Sequence, residues 1–221
     1  MNSWDEILEA MAKEGAPPSN PLKMRCSELP TMYYCTEFSQ NRKGPEGDNS
    51  AATLGKAIHY LAEKGPSADP FDVPDDVAEV LHVIRSGMRQ LFEEGWELVA
   101  KEQYFENEYV TGNLDLVFRM GDDFLYVDIK SGYKVVDSLS PQMVGGACLL
   151  YDNSDAVRVF VGILQPRIKG DFIWKELVSR EYAERIVKKC HAATVGINDA
   201  CQFCDRNADC EEIRNFINKV I

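Results

Sequence analysis

Between Gly112 and Lys130 polar and apolar residues alternate in two runs, Gly112 to Met120 and Phe124 to Lys130, separated by Gly121-Asp122-Asp123. Period-two alternation marks a strand, and glycine and aspartate between two such runs mark a tight turn, so the stretch predicts a β-hairpin. Parity sorts its faces. Leu114, Leu116 and Phe118 fall with Leu125, Val127 and Ile129 on a face that must enter a core. The opposite face carries Asn113, Asp115, Val117, Tyr126, Asp128 and Lys130. A turn centred between residues 121 and 122 sets Asp115 directly across from Asp128. Opposed Cβ atoms lie about 5 Å apart. Two carboxylates at that distance repel unless a positive charge stands between them, and a divalent cation with its preference for carboxylate oxygen fits that place. Lys130, two positions beyond Asp128, shares its face. Two acids and a lysine around a metal form the constellation of a metal-dependent phosphodiesterase. A lone Asp-x-Lys triplet is more often a solvated strand face, so the rest of the chain has to bear on it.

The remaining periodicities predict the elements around this hairpin. Ser3 to Glu14 reads as a short amphipathic helix with Trp4, Ile7, Leu8 and Met11 on one side. The breaker at 15–21 makes it a loosely attached arm, residues 1–21, ahead of a single domain over 22–221. A short helix follows Ser27-Glu28-Leu29-Pro30, and residues 41–50 read as a polar loop. Ala51 to Lys64 is helical, with Leu54, Ile58 and Leu61 at helix spacing and Gly55 and His59 within it. A proline-rich connector over 65–74 precedes a long helix. That helix starts at Asp75 or Asp76, buries Val77, Val80, Leu81, Ile84, Met88 and Leu91, and stops at Gly95. Trp96 to Val110 predicts one or two strands containing Glu102, Glu106 and Glu108. Beyond the hairpin come a loop, a helix over Pro141 to Tyr151 opened by proline, a buried strand over Val157 to Leu164, a strand over Phe172 to Val178, and helices over Arg180 to Ala193 and Glu211 to Val220. The order predicts an α/β core.

Composition narrows the class. In 221 residues, 45% hydrophobic and 27% charged, there is enough chain for one sizeable core. No apolar run has the length of a membrane span, and the N-terminal stretch is acidic and amphipathic rather than signal-like, so a cytoplasmic protein is expected. Lys and Arg number 24 against 36 Asp and Glu, a formal charge of −12, which counts against coating nucleic acid through bulk charge. It leaves open an enzyme that engages DNA through a local groove and a bound metal. Seven cysteines without a signal peptide do not suggest a disulfide framework. Three of them crowd into Cys201-x2-Cys204-x5-Cys210. With a distant fourth thiolate they suit either Zn²⁺ or a [4Fe–4S] cluster, and spacing alone does not choose.

These pieces together resemble the RecB-like branch of the PD-(D/E)XK nucleases, in particular phage-encoded members and the CRISPR-associated adaptation nuclease. The matching features are Gly55…His59, Gly112…Asp115, Asp128-Ile129-Lys130, Gln142, the Cys201/Cys204/Cys210 triplet, the upstream SELPTMYYC segment ending at Cys35, and Gln165-Pro166-Arg167. The chain departs from the family where Q-x3-Y is usual, since the fourth residue after Gln142 is Gly146.

The resemblance implies a restriction-endonuclease-like core, a mixed central sheet flanked by helices, with the N- and C-terminal helical parts stapled by an iron–sulfur cluster. It implies a Mg²⁺- or Mn²⁺-dependent deoxyribonuclease, an exonuclease on DNA ends or single strands in recombination, repair or phage genome processing. Asp115, Asp128 and His59 would ligate the metal together with the carbonyl of Ile129, and an imidazole ligand favours Mn²⁺. Lys130 would orient the attacking water. Glu102 would assist, although Glu106 and Glu108 compete for that part. Gln142, Lys56, Arg167 and Lys169 are candidate DNA contacts. Cys35 would join Cys201, Cys204 and Cys210 on a [4Fe–4S] cluster, with Cys26 as the rival fourth ligand and Zn²⁺ as the alternative occupant. Cys148 is expected in the core. Partners would be DNA and a second copy or another DNA-processing protein, with no membrane. The alternative is a catalytically quiet DNA-binding or assembly module with the same fold.

Overall fold

The computed structural model describes residues 4–13, 23–35, 50–63, 73–192, 196–197, 201, 204, 206 and 208–220. The breaker at 15–21, the polar loop at 41–49 and most of the connector at 65–72 lie outside the described residues. A six-stranded mixed sheet carries helices on both faces. Its strands are β1 (Met24–Arg25), β2 (Glu97–Glu106), β3 (Val110–Met120), β4 (Asp123–Ile129), β5 (Arg158–Leu164) and β6 (Trp174–Val178). The order is β1-β3-β4-β5-β6, with β2 on the other side of β3. β1–β3 and β4–β5 are parallel and the remaining pairs antiparallel.

The helices are α1 (Trp4–Lys13), α2 (Leu29–Met32), α3 (Ser50–Glu63), α4 (Asp75–Glu93), α5 (Pro141–Asn153), α6 (Pro166–Lys169), α7 (Arg180–His191) and α8 (Glu211–Val220). α4 forms where its sequence predicts. Pro74 precedes it, Asp75 and Asp76 in its first turn suit the positive end of the helix dipole, and Gly95 beyond its end takes φ +95°. Its stripe Val77, Val80, Leu81, Ile84, Met88 and Leu91 packs with α3 beneath Leu116, Phe118, Leu125, Val127 and Ile129. α1 is packed rather than loose, because Ile7 is buried in this same core with Trp4 and Met11 against it. β1 and α6 are too short to carry a periodic signal.

The hairpin turns at Gly121-Asp122, with φ +62° at Gly121, and pairs Met120 with Asp123 and Leu116 with Val127. That is the register expected from the sequence. Two details differ. The second face is no solvated surface: Val117 and Tyr126 lie in a second core, under α5 and α7. Leu114 belongs to that second core, opposite to Leu116. Strict alternation fails at Asp115. There the β3–β4 ladder has ended, and β3 goes on to pair with β1 at Val110 and Thr111. On the other side of β3, Lys101 pairs with Leu116 and Gln103 with Leu114, while Glu102 between them takes φ +43°. The strands part at the position where the two aspartates would otherwise face each other.

Candidate metal centre

Each acid at this parting point is held by a different element. Asp115 is 9% exposed, and its Oδ2 accepts a 2.7 Å hydrogen bond from the backbone N–H of Ile129. That bond ties Asp115 to β4 just past the end of the β3–β4 ladder. Glu102 reaches in from β2. Its left-handed backbone is unusual for a residue with a side chain, and strain of this kind costs about 1–3 kcal/mol and gathers at functional sites. His59 comes from α3, whose Gly55 sits one turn earlier against Ser131, with room for a Cβ only at 3.4 Å from its Oγ. His59 Nδ1 stands 3.2 Å from Glu102 Oε1 and 3.4 Å from Asp115 Oδ2. One ligand atom from each of these three residues lies within 4.8 Å of the others. Nitrogen and carboxylate oxygens in such a group suit a divalent cation.

Asp128, 2% exposed, lies deeper. Its Oδ1 accepts hydrogen bonds from the Tyr126 hydroxyl at 2.9 Å and from Gln142 Nε2 at 3.1 Å. Its Oδ2 faces Lys130 Nζ at 2.9 Å and has no directed hydrogen bond. Gln142 Oε1 in turn accepts from Lys130 Nζ at 3.4 Å. A buried carboxylate oxygen lacking a directed bond, beside a three-residue donor group, is what a site for a hard cation requires. His59 and Asp115 thus belong to the donor group, and Asp128 is held by Tyr126, Gln142 and Lys130.

Electrostatics agree with this geometry. Burial, followed by the neighbouring charge of Asp128, pushes the Asp115 carboxyl well above the usual carboxylate range against the opposing pull of His59. Burial alone would lower the His59 imidazole, but Asp115, the bond to Glu102 and the charge of Asp128 outweigh it and raise the value to about 9. Both shifts favour the protonated forms, which a bound cation would oppose.

Glu102 is the acid of this group whose part the sequence left undecided. Three glutamates on one strand gave no basis for choice. The structure separates them: Glu106 is exposed and pairs with Tyr104 and Lys23, Glu108 is exposed, and only Glu102 meets His59. Gln142, expected at DNA, bridges Asp128 and Lys130. Ile129 contributes its N–H to Asp115 and its side chain to the α4 core. Lys56 is exposed on α3, and Lys169 is exposed on α6. Arg167 lies over the Tyr133 ring at 5.0 Å, bonds its hydroxyl and stands 3.7 Å from Asp76, with 13% of its side chain exposed. Gln165, fully buried, donates to the Lys134 carbonyl and so ties down the loop that follows Lys130.

The seven cysteines are free thiols, and among the described residues none joins a group of three ligand atoms within 4.8 Å. The expected cysteine staple is therefore not assembled in the structure. Cys26 is buried against Gly112 and Gly145, and burial pushes its thiol far up. Cys148 and Cys190 are likewise buried, which raises both thiols to about 11. A raised thiol resists the deprotonation that ligation needs, so these three are core residues.

These shifts make a pH dependence. Asp115 and His59 both hold protons more tightly folded than unfolded, so each loses its stabilising protonation as pH rises. Asp115 loses its share between about pH 4 and 8 and His59 its share between about 6.5 and 9, so the metal-free protein should lose stability as pH rises through this range, by at most about 1.4 kcal/mol per pH unit for each proton the folded state retains. Asp115→Asn should make that slope shallower. Thermal melts in chelator across this range check it.

No family model matches the chain, and no curated protein does. Among solved structures the chain is similar to the crystal structure of SSO0001, with a TM-score of 0.43 and 11% identity over 94% of this chain and 95% of that one. It is also similar to a phage related exonuclease from Haemophilus somnus 129PT, with a TM-score of 0.39 and 14% identity over 85% of this chain and 95% of that one.

Proposed function

We propose that this chain is a divalent-metal-dependent deoxyribonuclease of the RecB-like PD-(D/E)XK type. The observation that carries the reading is the joining of two groups through one backbone bond. His59, Glu102 and Asp115 form a cation-sized donor set, and the Ile129 N–H links Asp115 to the strand that presents Asp128 and Lys130. His59, Glu102, Asp115 and Asp128 would hold Mg²⁺ or Mn²⁺, with the Ile129 carbonyl as a further ligand. When bound, the ion supplies Lewis-acid stabilisation of phosphate charge and lowers the pKa of water. The chain's own residues do the positioning. Lys130, held between Asp128 and Gln142, orients the attacking water and offsets phosphate charge. Lys56 on the exposed side of α3 engages the DNA backbone, and Arg167 stiffens the loop after Lys130 through Tyr133. The substrate is a DNA end or single strand, processed in recombination, repair or phage replication, with a second copy or a partner protein supplying the basic surface that a chain of net charge −12 lacks.

The cysteine triplet belongs to the same proposal. Cys201, Cys204 and Cys210 with Cys35 hold a [4Fe–4S] cluster that staples the C-terminal segment to α2. The resemblance names these four, and the following observations are consistent with it. Cys26, Cys148 and Cys190 lie in the core, whereas Cys201, Cys204 and Cys210 are only half-buried. The Cys204 N–H bonds the Cys201 carbonyl at 3.1 Å. A Cβ at Gly196 would come within 2.6 Å of the carbonyl of Tyr34, the residue before Cys35.

Asp115→Ala, Asp128→Ala and Lys130→Ala should each lower Mn²⁺-dependent cleavage of linear DNA by at least about 10²-fold, as loss of charge-stabilising groups does. A Lys130→Ala protein cleaving at the wild-type rate would remove the assignment. His59→Ala should lower the rate and shift preference from Mn²⁺ towards Mg²⁺. Anaerobically purified protein should be brown, with iron and sulfide near four each per chain. Cys201→Ser should be colourless and poorly soluble, while Cys26→Ser stays brown. One zinc per chain in place of iron would overturn the cluster.

A further inference from the structure

We propose that the Tyr126 hydroxyl is a positioning group for Asp128, and that Gly146 on α5 is required because it admits the Tyr126 ring. The inference rests on Asp128 being part of the metal centre, and it concerns how that carboxylate is aimed.

Tyr126 and Asp128 are two positions apart on β4 and so share a face. The ring is 1% exposed, and its hydroxyl donates to Asp128 Oδ1 at 2.9 Å. Gln142 Nε2 donates to the same oxygen at 3.1 Å. Two donors on Oδ1 fix the carboxylate plane and leave Oδ2 facing Lys130. Burial and then the charges of Asp128 and Asp115 keep the phenol protonated far above its ordinary range, so it is a donor at every working pH. Partners of metal-binding side chains that fix their orientation typically change metal affinity 10- to 100-fold when removed.

The ring lies between β4 and α5. A Cβ built at Gly146 would stand 2.5 Å from Tyr126 Cε1 and 2.6 Å from its Cδ1, closer than carbon atoms approach. Leu114 closes the same space at 3.3 Å. A buried ring tethered at its hydroxyl has nowhere to swing. Gly146 follows Gln142 by one helical turn, so α5 delivers one donor to Oδ1 with Gln142 and makes room for the other with Gly146. Gly145 beside it does a separate task, since a Cβ there would meet Leu29 and Cys26.

The test is Mn²⁺ binding to the intact, metal-free chain by titration calorimetry, with Tyr126→Phe, Gly146→Ala and the double variant. Tyr126→Phe keeps the ring and removes only the hydroxyl. It should retain cooperative unfolding and weaken Mn²⁺ binding by about 10-fold or more. Gly146→Ala should weaken it comparably by displacing the ring, and in the Phe background it should add little, because both changes act through one hydrogen bond. A Tyr126→Phe affinity within about twofold of wild type would overturn the proposal, as would full additivity in the double variant. If Gly146→Ala does not fold, Tyr126→Phe alone decides. A wild-type chain that binds Mn²⁺ but cleaves no DNA would sink the nuclease reading while leaving this test intact. A wild-type chain that binds no Mn²⁺ would overturn both.

Discussion

Two carboxylates are buried at the point where β3 and β4 part, and the surrounding structure is arranged to make that tolerable. Removing an ion from water costs several kcal/mol unless charges and hydrogen bonds replace the lost hydration. Here the replacements come from every layer. β4 gives Asp115 the Ile129 N–H and gives Asp128 the Tyr126 hydroxyl, and Lys130 just past its end gives Asp128 an ammonium. α3 gives His59 and α5 gives Gln142. Burial and then the charge of Asp128 still lift Asp115, so a cation bound there would relieve a repulsion that these partners leave.

The two cores divide the work of holding this arrangement. α3 and α4 pack on one face of the sheet and deliver His59 over the gap. α5, α2 and α7 pack on the other and deliver Gln142. The sheet bends its own rules between them. β2 carries a strained Glu102, β3 trades β4 for β1, and Leu114 changes face. Departures from regular strand geometry coincide with the residues of the candidate metal centre.

The sequence made much of this legible where periodicity is strong. The α4 stripe, the hairpin register and the extents of α3, α5 and α7 follow from apolar spacing, and parity with a turn of known length carries that register as far as Leu116 and Val127, one pair short of Asp115 and Asp128. Parity failed where the chain leaves regular geometry. Leu114 reads as a partner of Leu116 because no residue type announces a change of face two positions away. Glu102 could not be told from Glu106 and Glu108, because the distinction lies in which of them meets a helix 43 residues earlier in the chain. Tyr126 reads as an ordinary strand aromatic, and Gly146 as a gap in a motif. Only the packing of α5 against β4 shows that one fills the space the other leaves.

The central claim is that His59, Glu102, Asp115 and Asp128 form one cation site whose metal-free state favours protonated ligands. Calorimetric Mn²⁺ titration at pH 7.5 in buffers of different ionisation enthalpy counts both the ions bound and the protons released. The account predicts saturable Mn²⁺ binding at this site with net proton release, since the ligands must deprotonate to bind. Binding without proton release, or no binding at all, would contradict it.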